Sequence, residues 1–173
     1  MSQADLAHRV AVLEEVSKIK ELRQCRFPAA GFPEINVEAV LDLFAEDGGF
    51  EYLNLSKTKG HKEIRHFFTD GPINGRFLLM VPAYVHVNDD LRTGHGRWHL
   101  LETLRMPSVK TGRNEPVWCQ CAYEDEYIKV GDEWRFQHYT CEIRMFVTHQ
   151  EGWGEKMVDY EQFFVDWRAH LAR

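Results

Sequence analysis

Glu102 lies in the run GHGRWHLLETLRM, residues 94–106. If this run is a strand, side chains alternate between its faces. Trp98, Leu100, Glu102, Leu104 and Met106 then share one face, and His95, Arg97, His99, Leu101, Thr103 and Arg105 the other. The first set is mostly apolar and belongs against a core or cavity. A carboxyl there loses water, its pKa rises, and it becomes suited to proton transfer near neutral pH. The position also fits a solvated glutamate at a strand end, or the partner of an arginine. Arg144 lies in an apolar run ending IRMF. A guanidinium facing a pocket would hold a phenolate, enolate or carboxylate by charge-assisted hydrogen bonds. A salt bridge across the sheet, to Glu102 itself for instance, is the alternative. His138 is expected on one face with Trp134, Phe136 and Thr140, where it could serve as acid or base. A hydrogen-bonded core histidine fits the same pattern. Tyr123, Asp125 and Tyr127 also share a face, and Asp125 reads more simply as a cross-strand anchor than as a proton relay.

Other chemistries find no support. His95 and His99 are four residues apart, about 13 Å along a strand, too far to ligate one ion, so no metal site is expected. There is no G-x-S-x-G nucleophile elbow and no phosphate-cradling glycine motif. The net charge is −6 with no dense Lys/Arg run, which argues against nucleic-acid partners and membrane surfaces. Cys25, Cys119, Cys121 and Cys141 match no zinc or thioredoxin spacing. A bond between Cys119 and Cys121 on one strand would be strained, so all four read as free thiols of a reducing cytoplasm. The N-terminus MSQADLAHRV has no signal-peptide core, and no apolar run approaches a membrane span.

These residues need elements to hold them, and 173 residues make one domain with a real core. Leu6, Val10, Leu13, Val16, Ile19 and Leu22 recur at helical spacing, which predicts a helix over residues 4–27, capped at Ser2 or Asp5 and ended by Pro28. Its first turns are candidates for packing on a neighbouring subunit. A second helix is expected over residues 36–44, then a turn at AEDGG, a short strand FEYLNL, a turn at SKTKG, and a third helix over residues 61–68. Residues 77–87 read as an edge or bulged strand because Pro82 removes a ladder donor. Strands over residues 94–106, 117–130 and 133–146 follow, the last two joined at Gly131-Asp132. Met157, Tyr160, Phe164, Trp167 and Leu171 predict a C-terminal helix over residues 155–171. The order is α+β.

Three segments carry a family resemblance. They are IKEL with LDLFAEDGGFEY and GHKEIRHFF, then GHGRWHLLE, then YEDEYIKVGDEWRFQHYTCEIRMF. Across residues 15–147 the chain resembles the SnoaL-like branch of the nuclear transport factor 2-like superfamily. The resemblance implies a cone-shaped, curved antiparallel sheet wrapped around the N-terminal helices, with an internal apolar pocket. It also implies a homo-oligomer, trimer or dimer, and a cofactor-independent lyase acting on a hydrophobic aromatic or polycyclic molecule. Loss of water or retro-aldol loss of formaldehyde would be the reaction. An isomerase, a cyclase and a non-catalytic binding or assembly module are the alternatives the fold allows. The family's dehydratases place a Tyr and an Asp near the end of the first helix. Here Arg26 stands at the Tyr position without the acid, and Leu78 and Val81 stand near the expected strand histidine. Glu102 and Arg144 match late-strand positions of the family. Glu102, His138, Arg144 and Arg26 are therefore the catalytic candidates, and Tyr52, Trp98, Tyr123 and Phe27 the substrate-contacting ones.

Overall fold

The computed structural model describes residues 2–31, 34–53, 55–70, 74–108 and 112–152. Its centre is a six-stranded sheet of β1 (Phe44–Tyr52), β2 (Ser56–Lys59), β3 (Asn74–Val87), β4 (Thr93–Pro107), β5 (Asn114–Val130) and β6 (Glu133–Thr148). The strand order is β2-β1-β6-β5-β4-β3. All neighbours are antiparallel except β1 and β6, which run parallel, so the expected antiparallel sheet is mixed at one seam. Long alternating strands need one covered face, and the helices supply the cover. The covered face carries Trp98, Leu100, Tyr123, Tyr127, Phe136, Tyr139 and Phe146, packed with Ile19, Leu22, Val40 and Ile64 from the helices. The sheet is curved and open, and the class is α+β.

Helix α1 (Gln3–Glu21) starts at Ser2, whose side chain accepts from the Asp5 amide at 3.1 Å. Its inward side is Glu15, Val16, Ile19 and Leu22. Leu6, Val10 and Leu13, expected on that side, are exposed. The helix does not stop at Pro28. It widens into a π-turn over Leu22–Arg26 and continues as α2 (Phe27–Ala30). A proline near the start of a new helical segment lacks only an N–H that would have no helical partner there. Helix α3 (Val37–Leu41) is capped by Asn36, which accepts from the Ala39 amide. Helix α4 spans Gly60–Asp70.

AEDGG does not turn the chain; it lies within β1. Gly48 and Gly49 permit this, because a Cβ on Gly49 would sit 2.1 Å from the Thr58 carbonyl oxygen. SKTK, expected as a turn, pairs with β1 as β2. β3 is an edge strand with a register shift between Pro82 and Tyr84, as its proline requires. The expected helix over residues 155–171 lies outside the described residues. No described helix is long and apolar enough to cross a membrane.

Candidate functional site

Strand β4 alternates without interruption, and Trp98, Leu100, Glu102, Leu104 and Met106 are all buried. Glu102 is 9% exposed. Across the ladder it faces Leu78 of β3 and Cys119 of β5. No hydrogen bond or ion pair reaches its carboxylate among the described residues. Desolvation alone pushes this carboxyl from 4.5 up to about 8. At neutral pH Glu102 is therefore mostly a neutral acid, able to donate a proton and, once ionised, to take one back.

The next inward positions on β5 are Cys119, Cys121, Tyr123, Asp125 and Tyr127. Cys119 Sγ and Cys121 Sγ lie 3.4 Å apart, and all four cysteines are free thiols. Hydrogen bonding with Cys119, followed by burial, raises the Cys121 thiol, and burial raises that of Cys141. These thiols are poor nucleophiles and form a soft wall beside the acid. Burial likewise raises the phenols of Tyr52, Tyr123 and Tyr139, so each stays protonated as a donor.

Deeper along β5 is an ion pair that sequence reasoning missed. Arg23 and Asp125 have fully buried side chains, with Arg23 Nε 3.0 Å from Asp125 Oδ2. Trp98 Nε1 donates to the Tyr127 hydroxyl at 2.8 Å, and that hydroxyl donates to Asp125 Oδ2 at 2.6 Å. The Arg23 guanidinium lies within 4.3–5.1 Å of the ring centroids of Tyr123, Phe27, Tyr139 and Phe136. Such an aromatic sleeve offsets part of the cost of burying a cation. Burial pushes Asp125 up to about 6, against the pull of Arg23 and Tyr127, so it is still ionised at neutral pH. Its charge in turn keeps Arg23 protonated. Arg23 Nε, both its Nη atoms and Asp125 Oδ1 have no hydrogen-bond partner among the described residues, so Arg23 meets Asp125 as a charge and not as a hydrogen-bond donor.

Arg23 follows buried Ile19 by one turn, as Ile19 follows buried Glu15, so it continues the inward stripe of α1. The π-turn adds a residue to the turn that follows, and Arg26 stands at the rim. Arg26 is 3.8 Å from Glu133 and lines a shallow crevice of about 110 Å³ with Lys18, Glu21, Leu22, Asp132, Glu133 and Trp134. It does not meet Glu102 in the interior. Arg144 is a second correction. The register of β5 and β6 slips between Gln120 and Cys121, leaving Arg144 without a cross-strand partner. It is 42% exposed and donates to Glu142 at 2.8 Å. His138 is a third. A slip between Glu126 and Tyr127 skips Gln137, so Phe136 and Tyr139 point inward and His138 sits opposite Glu126 on the outer face. Trp98 and Tyr123 are in the interior as expected. Phe27 meets Phe136 edge-on at 5.6 Å, and half-buried Tyr52 stacks on Phe67 at 5.6 Å. The structure thus assembles Glu102, Tyr123 and the thiols on the inner face of the sheet, and leaves Arg144 and His138 outside.

Residues 13–140 match the sequence profile of the SnoaL-like domain. Among solved structures, an NTF2-like protein with a cystatin-like fold from Novosphingobium aromaticivorans is 22% identical with a TM-score of 0.58, covering 83% of this chain and 90% of that one. A ketosteroid isomerase-like protein from Erwinia carotovora atroseptica is 16% identical with a TM-score of 0.62, covering 76% and 97%. A hexachlorocyclohexane dehydrochlorinase from Novosphingobium barchaimii is 12% identical with a TM-score of 0.56, covering 85% and 94%. No curated protein matches.

Proposed function

The chain belongs to the SnoaL-like domain family, and on that premise we propose that it is a cofactor-independent lyase for a small hydrophobic, aromatic or polycyclic molecule, with Glu102 as the proton-transfer group. The observation that carries this reading is the buried Glu102 carboxyl, which has no partner among the described residues and is held mostly protonated at neutral pH. A protein rarely keeps such a group without a use for it. One carboxyl can run an elimination alone. Its proton goes to the leaving hydroxyl, the C–O bond breaks, and water departs. The carboxylate so formed takes the proton from the adjacent carbon as the C=C bond forms, which restores the acid. Protonated Tyr123 and Tyr52 supply donors that orient a substrate oxygen. Retro-aldol release of formaldehyde uses the same group in reverse order, with the carboxylate first taking a hydroxyl proton.

The test is turnover of β-hydroxy aryl ketones and diaryl propanediols, followed by product absorbance and formaldehyde release. Glu102→Gln should lose turnover and keep ligand binding; normal turnover in Glu102→Gln overturns the proposal. The aromatic filling around Arg23, from Phe27, Tyr123, Phe136 and Tyr139, favours a second reading as a non-catalytic binding or assembly module. Tight binding of aromatic ligands with no turnover of any would select it.

A further inference from the structure

The outer face of the sheet carries a row of metal-binding residue types that no strand shows when read along its own sequence. His86 of β3 faces His95 of β4. His95 faces Glu126 of β5. Glu126 faces His138 of β6. Four neighbouring strands therefore present His, His, Glu and His on a single rung. The rings of His86 and His95 are 4.9 Å apart between centroids and tilted by 42°. Both histidines and Glu126 are exposed, and Glu126 makes no hydrogen bond or ion pair among the described residues. The nearest cation on the adjacent rung, Arg97, is already paired with Glu124.

We propose that His86 and His95 chelate a divalent transition cation of the zinc, nickel or copper class, with Glu126 as third ligand and water completing the shell. Directly opposed residues on antiparallel strands hold their Cβ atoms about 4.5–5.5 Å apart, so two imidazoles can meet one ion without backbone movement. Two neutral imidazoles and a carboxylate suit these ions, whereas calcium and magnesium take oxygen ligands. As the side chains stand, no three donor groups among the described residues converge on one point. Glu126 is on the solvent side and reaches the ion by rotating about its own side-chain bonds. His138, beyond Glu126 and beside Glu51, is too far along the rung to join the same ion.

The experiment is equilibrium dialysis of the tag-free protein against Zn²⁺ and Ni²⁺, with Mg²⁺ as control and bound metal quantified. One Zn²⁺ per chain and no Mg²⁺ is expected. His86→Ala, His95→Ala and the double variant should lose this uptake, Glu126→Gln should weaken it, and His138→Ala and His99→Ala should leave it unchanged. Uptake that persists in the double variant, or no uptake by the parent protein, overturns the site. All the substituted residues lie on the outer face, and a metal-free melting curve verifies that each variant is folded.

Discussion

Replacing Glu102 with glutamine should make the protein more stable as it makes it less active. The side chain keeps its size and loses its ionisation. A carboxyl carried from 4.5 to about 8 by folding binds a proton on folding throughout that window. Its contribution is fully present below pH 4.5 and is lost as pH rises through about 8. The slope inside the window approaches 1.4 kcal/mol per pH unit, so the accumulated cost at pH 7 is about 3 kcal/mol. The buried amide introduced by Glu102→Gln lacks partners as the neutral acid does, so the two proteins should be nearly equally stable at pH 4.5. Asp125, raised to about 6, changes in the same direction but has largely finished by pH 6, leaving the interval from 6 to 8 to Glu102. Denaturant unfolding of both proteins at pH 5, 6, 7, 8 and 9 measures the difference directly. The advantage of the Glu102→Gln variant should widen up to pH 8 and then level. Parallel stability curves from pH 6 to 9 would mean that the carboxyl is solvated, and the catalytic argument would fall with it.

The Arg23–Asp125 pair is expected to behave asymmetrically. Asp125→Ala leaves a buried guanidinium without its counter-charge and should cost about 3–5 kcal/mol, while Arg23→Met with Asp125→Leu should recover most of that loss in thermal melts. Glu15 marks the acid limb of the stability curve. Burial opposes its ionisation, but Lys18 at 2.8 Å, Lys129 at 2.9 Å and the Trp134 indole at 2.5 Å prevail and hold it at about 2. Its depressed pKa gives stability that is present above 4.5 and lost as pH falls toward 2, so Glu15→Gln should flatten acid unfolding by about 2–3 kcal/mol. Arg144→Ala should alter stability by less than about 0.5 kcal/mol, as expected of an exposed ion pair, and should leave turnover unchanged. A large activity loss in that variant would return Arg144 to the site.

The inner face of β4 was legible because nothing interrupts its alternation from Thr93 to Pro107. The same rule failed on β6, where two register slips reverse the faces around His138 and Arg144. A bulge adds a residue without needing any particular residue type, so period-two reading cannot see it. Arg23 was hidden for a different reason. It continues the inward stripe of Glu15 and Ile19 at helical spacing, but an arginine is ordinarily read as solvent-facing, and the acid that makes its burial tolerable is on β5, about a hundred positions away. The parallel β1–β6 seam was equally invisible, since it joins strands about ninety positions apart.

These failures share a direction that bears on mechanism. Each slip moved an expected ionisable group out of the interior, Arg144 and His138 to the outer face and Arg26 to the rim, while the uninterrupted strand kept Glu102 inside. Arg23 did enter, but it is committed to Asp125 and enclosed by four rings. Glu102 is then the one acid among the expected candidates that a ligand on the inner face could meet without first breaking an ion pair. A reaction there has to be one that a single carboxyl can complete, giving a proton and recovering it within one turnover. This condition admits syn elimination and disfavours any scheme needing a separate acid and base.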